Sequence, residues 1–426
     1  MKLLKGDFFL VLVILVQFFP YNHYASSTIV KSSSTYDEPV YWPTDGWRTS
    51  LPEDQGMSSI KFQEMYEYLD STVELSIIRA SLRSILVIRN GFLIHENYFS
   101  SFANENTSIN IYSCTKSVTS SVIGIAIEKG FIGGINDNIL DYFPDRTIAN
   151  RDNWKDAIKI EDVLTMRAGF SWDEADYSRP DNDYTLMYAS PNPVQYVLDK
   201  LMAAAPGSTW VYNTGCSHLL SALIDNRTGI GNKEFTQTYL FDPLGIDRPS
   251  WSIDQQNIPY GGSNLRLTPR QMAKFGFLYL HNGSWDGQQL VPKEWVQVST
   301  QPTNTTWWYG YQWWIEPHRN SFSARGYKGQ QIIIIPDYNM VVVFTANTNL
   351  IGNLYSVLID DFIIPAIGHV PPSTSKTQTT TNPSSLDLRS ETTTTSKVTE
   401  TSSFISFPIM ILIMSTLVLF IRRKAV

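Results

Sequence analysis

Ser113 and Lys116 lie three positions apart in the run Asn110-Ile111-Tyr112-Ser113-Cys114-Thr115-Lys116-Ser117-Val118. At the start of a helix, that spacing sets both side chains on one face. The lysine amine can then reach the serine hydroxyl and accept its proton, while the helix N-terminus favours negative charge on the oxygen. The chemistry open to such a pair is nucleophilic attack on a carbonyl carbon, leaving an acyl-serine. Ser-x-x-Lys also occurs at ordinary solvated helix starts, so the surrounding elements have to decide.

Those elements favour a buried setting. Val118, Val122, Ile125 and Ala126 recur at helical spacing, Ile123 and Ile127 fill the opposite side, and Gly130 is a stop. A helix apolar nearly all round is a central one. Upstream, Ser58 caps a predicted helix through Leu69, and Ser84 to His95 reads as a hairpin turning at Asn90-Gly91. Downstream, Asp162 to Gly169 reads as a helix ended by its glycine, and Thr268 caps a helix through Leu280. Strand patterns return at Tyr309–Ile315, Gln331–Ile335 and Met340–Thr345, with a turn at Pro336–Asn339, before an amphipathic helix over 350–364. Strands from both ends therefore flank a mainly helical stretch of about 134–250. The expected class is α/β in the α+β sense: one antiparallel sheet flanked by helices, with a helical lobe and a cleft between lobe and sheet.

Composition limits the alternatives. The 426 residues carry a net charge of −7 and a pI near 5.4, which argues against a nucleic-acid partner. Two cysteines, Cys114 and Cys216, make no disulfide framework and read as buried free thiols, with a disulfide or redox role as the alternative. No CxxC or HExxH occurs and the six histidines are scattered, so neither a metal nor another cofactor is expected.

Both ends carry membrane signals. A basic start and an apolar run from Phe8 to Phe19, ended by Pro20, read as a signal peptide over about 1–25, with an uncleaved anchor as the alternative. Residues 37–370 form the expected folded domain, and 371–403 a Thr/Ser-rich stalk that cannot bury a core. Residues 404–421 are long and apolar enough to span a bilayer, and the basic tail at 422–426 predicts a cytoplasmic end. The expected product is a single-pass membrane protein with its domain outside the cell. Sequons at Asn106, Asn226, Asn282 and Asn304 agree with export.

From about Trp42 to Gly368 the chain resembles the serine β-lactamase and penicillin-binding-protein superfamily, and within it the class C-like branch of esterases and amide hydrolases. Ser113-x-x-Lys116 matches the first motif of that family, and Leu164-Thr165-Met166 ahead of Gly169 suits the same branch. The second motif, Tyr-x-Asn after Pro-Gly, falls on Tyr212-Asn213-Thr214 after Pro206-Gly207, with Thr214 replacing the asparagine. The third, Lys-Thr-Gly on an edge strand, falls on Ala324-Arg325-Gly326 with Tyr327 following, so only Gly326 survives.

The resemblance implies a β-lactamase/transpeptidase-like fold, Ser113 as nucleophile, and Lys116 and Tyr212 sharing the general-base role, with Lys116 alone as the alternative. It implies an oxyanion hole from the Ser113 and Tyr327 backbone N–H groups, and Gly326 and Thr214 as substrate-side residues. A lysine ammonium beside the phenol would lower the pKa of Tyr212. Losing Lys-Thr-Gly removes the cation and hydroxyl that hold a substrate carboxylate, leaving Arg325 or Lys328 as possible substitutes. Another ester or amide is therefore favoured over a β-lactam or a D-Ala-D-Ala peptide. Glu161 and Glu174 read only as neighbours in sequence. The aromatic run from Trp307 to Trp314 reads either as strand core or as a pocket wall. A catalytically silent surface module binding peptide or glycan is the reading from another class.

Overall fold

The hairpin is where the sheet begins. Asn90 and Gly91 both sit in the left-handed region, with φ of 50° and 85°, which matches the right-handed twist of the strands they join. The structure, a computed structural model, describes residues 39–99, 103–303, 306 and 308–368. The signal segment, stalk, apolar span and basic tail expected from the sequence lie outside these residues, as does Trp307. Among the described residues, no helix is long and apolar enough to cross a membrane.

Six strands form one antiparallel sheet: β1 (Leu82–Arg89), β2 (Phe92–Tyr98), β3 (Trp314–Glu316), β4 (Ser321–Gly326), β5 (Gln330–Ile335) and β6 (Met340–Ala346). Their spatial order is β2-β1-β6-β5-β4-β3, so the first strand of the domain pairs with the last. The mixed α and β architecture expected from the sequence is the observed one.

Alternation along the central strands builds a core on each face. Ile85, Val87, Ile333, Ile335, Val342 and Phe344 pack on one side with Phe62, Met65 and Leu69 of helix α1 (Ser59–Asp70). Leu86, Ile88, Ile332, Ile334, Val341 and Val343 face the other, larger core around helix α2 (Thr115–Glu128). Helix α3 (Thr214–Thr228) packs against α2, and helix α4 (Pro269–Leu280) lies across β5 and β6. Every residue of α2 from Thr115 to Ala126 is buried. Three of its hydroxyls bond within the core: Ser117 Oγ donates to Gln312 O, Thr119 Oγ1 to Gly261 O, and Ser121 Oγ meets the Tyr279 hydroxyl. The rest of 134–250 is loops and short helices such as Ile160–Leu164, Asp183–Ala189 and Pro193–Leu198.

Four local expectations need correction. The helix at 162–169 is instead Ile160–Leu164; Met166, at φ 61°, turns the chain aside well before Gly169. Of Tyr309–Ile315, only the end is regular strand, because Gln312, at φ 65°, folds the segment so that Tyr309 bridges Trp314. The last helix is shorter, Leu354–Val357 continuing as a wider π-type turn over Leu358–Ile363. Strand β4 is not the sheet's edge, since β3 covers Ser321 to Ser323; Ala324 to Gly326 extend past that partner.

Candidate active site

Asn110 Oδ1 accepts the Tyr112 N–H at 2.8 Å, and Tyr112 is bent into the left-handed region with φ of 48°. That conformation costs a side-chain-bearing residue of order 1 kcal/mol, a strain that gathers at functional turns. Tyr112–Cys114 forms one 3-10 turn, so Ser113 stands just ahead of α2 rather than inside it. Cys114, buried and free, hydrogen-bonds Gln330 O at 3.5 Å and ties the turn to β5. Gly326, at the end of β4, closes against the same turn: a Cβ there would lie 2.3 Å from Ile111 O.

Lys116 lies in the first turn of α2 and is 2% exposed. Its Nζ is 3.2 Å from Ser113 Oγ, 2.9 Å from Thr214 Oγ1 and 2.9 Å from Gly262 O. It also sits 4.9 Å from the centre of the Tyr212 ring. Burial pulls the ammonium down to about 8, against the opposing attraction of the Glu174 carboxylate. Two other lysines are buried without such company. Lys155 donates to Ala149 O and Leu198 O, and Lys274 to Thr44 O, Leu244 O and Gly245 O, carbonyls that need only the ammonium. Of the three, it is Lys116 that lies against the Ser113 hydroxyl.

Tyr212 precedes α3, whose N-cap Asn213 accepts the Cys216 N–H at 3.0 Å. Its phenol hydrogen-bonds with Ser113, yet burial, and after it the Glu174 charge, push it above the ordinary tyrosine range. The phenol thus moves opposite to the expected lowering, because desolvation outweighs the hydrogen bond with Ser113. Thr214, expected on the substrate side, is 2% exposed and stands behind Lys116. Ser113, Lys116 and Tyr212 converge; Thr214 joins them from the buried side.

Glu174, the residue the sequence reading set aside, is in this constellation. At 6% exposure its carboxylate accepts from Trp172 Nε1 at 2.8 Å, the Tyr177 hydroxyl at 2.7 Å, the Thr214 N–H at 2.7 Å and the Thr214 hydroxyl. No spacing rule links residue 174 to residue 116. The available signal was a carboxylate flanked by Trp172 and Tyr177 in an otherwise exposed acidic loop. Glu161 is engaged elsewhere, by the Tyr311 hydroxyl.

Two groups of aromatic rings gather around Tyr112 and Tyr212, the one adjoining Ser113 in the chain and the other hydrogen-bonded to it. Tyr327 meets Tyr112 edge-on at 5.6 Å and Tyr177 at 5.5 Å, and Tyr177 meets Tyr184 at 5.3 Å. In the second group, Trp314 stacks beside Tyr212 at 6.1 Å and Trp210 lies 6.0 Å from Trp314. Of the expected aromatic run, Trp314 joins this group while Trp313 is core. Arg325 lies over Trp314 at 5.3 Å and pairs with Glu316, so its guanidinium is already committed to a carboxylate. The Lys328 ammonium lies 6.0 Å from the Tyr327 ring.

Comparison with known proteins bears on this geometry. Residues 78–352 match the family model described as Beta-lactamase. The 6-aminohexanoate-dimer hydrolase of Paenarthrobacter ureafaciens is 23% identical over 61% of this chain and 71% of its own length. A penicillin-binding protein homologue from Pyrococcus abyssi superposes with a TM-score of 0.57 at 17% identity, over 71% of this chain and 77% of that one. A hydrolase with promiscuous acyltransferase activity, EstCE1, does so at 0.58 and 16%, over 73% of this chain and all of that one. At such identities the structural likeness concerns the fold.

Proposed function

The chain belongs to the Beta-lactamase family, and from that premise we propose a cell-surface serine hydrolase that acts on carboxylic esters or amides through an acyl-enzyme on Ser113. The observation that carries the reading is the 3.2 Å approach of a desolvated Lys116 amine to Ser113 Oγ. With its ammonium pulled down to about 8, roughly a tenth of Lys116 is neutral at pH 7. Such an amine can act as a base where an exposed lysine cannot.

In the proposed cycle, Ser113 Oγ attacks the carbonyl carbon as its proton passes to Lys116 Nζ. The carbonyl oxygen, now an oxyanion, is held by the backbone N–H groups of Ser113 and Tyr327. Tyr212, kept protonated by burial, gives its proton to the leaving oxygen or nitrogen and regains one from the Lys116 ammonium. Water then attacks the acyl carbon and passes a proton to Lys116, which hands it to Ser113 Oγ as the acyl–oxygen bond breaks, restoring the serine hydroxyl and the neutral amine. Hydrolysis needs no redox partner in this sequence.

The engagement of Arg325 with Glu316 supports a substrate without a carboxylate beside the scissile bond. Half-buried aromatic area at Tyr212, Trp314 and Trp210 would hold its uncharged part. Location at the cell surface rests on the apolar segments at both ends and on the basic tail after the second.

Intact mass after fluorophosphonate treatment tests the chemistry. One adduct on the protein, absent from Ser113→Ala, is the expected result; folded protein without an adduct ends the hydrolase reading. Ester, amide and β-lactam panels then rank the substrates. Labelling of intact cells with an impermeant reagent tests the location.

A further inference from the structure

A neutral lysine amine has two hydrogens and one lone pair, and it works as a base only if the lone pair faces the proton it must take. Three oxygens surround Lys116 Nζ: Gly262 O and Thr214 Oγ1, each at 2.9 Å, and Ser113 Oγ at 3.2 Å. Gly262 O is a carbonyl and can only accept. Thr214 Oγ1 could either accept from the amine or donate to it. If it donated, the lone pair would be taken and Ser113 would lose its base.

Glu174 decides between these. Its carboxylate can only accept, and the Thr214 hydroxyl donates to it. That leaves Thr214 Oγ1 only its acceptor side toward Lys116. Both amine hydrogens are then directed, one to Gly262 O and one to Thr214 Oγ1, and the lone pair is left pointing at Ser113.

We propose that Glu174 is a positioning residue that, through the hydroxyl of Thr214, aims the Lys116 lone pair at Ser113. The inference rests on the hydrolase reading above and deepens it. Glu174 acts through Thr214 rather than on Ser113 directly. Its charge has a second effect with a separate signature. The groups facing Lys116 are Ser113 and Cys114 on its own turn, Tyr212, Thr214 and Cys216 from α3 and its lead-in, the Gly262 carbonyl, and Glu174 itself. Glu174 is the carboxylate in this set, so it favours the ammonium and opposes the pull of burial.

Four hydrogen bonds hold the Glu174 carboxylate in place. Trp172 Nε1 and the Thr214 N–H both bind Oε2, while the Tyr177 and Thr214 hydroxyls bind Oε1. Gly262 matters from the other side, since a Cβ there would lie 2.6 Å from Thr214 Cγ2 and 3.1 Å from Lys116 Nζ.

The test compares Glu174→Gln, Thr214→Val and Thr214→Ser in the full-length protein, by the rate of fluorophosphonate labelling from pH 6 to 10 and by thermal unfolding. Thr214→Ser keeps a hydroxyl and is expected to label within about threefold of the parent protein. Thr214→Val, close in volume but without the hydroxyl, is expected to lose about 10- to 100-fold, within the range of general-base effects. Glu174→Gln removes both the aim and the charge: labelling falls at the plateau, and the rising limb moves to lower pH. Thr214→Val labelling at the parent rate, or Glu174→Gln with an unmoved limb and an unchanged plateau, overturns the inference. If a glutamine variant unfolds, the valine–serine pair still decides. Absence of labelling in the parent protein is a different failure, that of the hydrolase reading.

Discussion

The carbonyl oxygen of Gly262 lies 2.9 Å from Lys116 Nζ, and a Cβ on residue 262 would lie 2.6 Å from Thr214 Cγ2 and 3.1 Å from that amine. The flanking Gly261 is as tightly placed, since a Cβ on it would lie 2.1 Å from Ser217 O. This glycine pair lets one loop press against both α3 and the lysine. Gly262→Ala should therefore leave the fold formed but lower its stability by about 1–3 kcal/mol through overpacking. Its labelling rate should fall far more than its melting temperature suggests. Equal labelling by the two proteins would show that the loop does not set the amine.

Lys116 must be neutral to take a proton, and burial places its titration at about 8. Below that value each unit of pH removes about nine-tenths of the neutral amine. The rate of Ser113 acylation should rise about tenfold per unit up to pH 7.5 and level off beyond 9. Lys116→Arg, always charged, should give a flat and very low profile. A parent profile with no limb between 7 and 9 would contradict the lysine base.

Tyr212 is pushed upward by burial, so it enters the cycle holding its proton. A proton donor matters most to a leaving group that cannot depart as an anion. Tyr212→Phe should slow amide turnover by about 100-fold or more, within the usual span for acid–base groups. A nitrophenyl ester, whose leaving group needs no proton, should suffer much less. Equal loss on both substrates would assign Tyr212 to positioning instead.

Arg325 and Arg319 share Glu316, and Arg319 also reaches Asp360 at 3.1 Å. Removing Arg325 should disturb this partly buried network and lower the melting temperature by a few degrees. It should not change the preference between paired esters with and without a carboxylate, because the guanidinium is occupied. A selective loss of the carboxylate-bearing ester after Arg325→Gln would assign it to substrate binding.

Much of the fold was legible because its signals are local. The Asn90-Gly91 turn, the Thr268 cap and the alternating strands each fix their own geometry. Segments governed by distant packing were not. Met166 and Gln312 adopt left-handed backbone that no side-chain pattern announces, and each redirects what looked like a regular element. The site divides in the same way. Ser113 and Lys116 are one helical turn apart, and the resemblance added Tyr212, but Glu174 reaches them only through the folded loop. The direction of the Tyr212 shift was also out of reach, because it depends on how much water the surrounding rings exclude.

Pairing of β1 with β6, Leu82 opposite Ala346, sets an order of events during synthesis. The hairpin leaves the ribosome early, but the neighbour that completes β1 arrives only after α2, α3 and α4 have been made. At roughly 5–20 residues per second the wait is on the order of tens of seconds. Throughout it, the strand edge meant for β6 has no partner, and the apolar faces of β1 are not yet covered by the finished sheet. The nascent chain therefore has an interval in which a holding chaperone would be useful, and a messenger truncated before residue 340 would leave that edge permanently open.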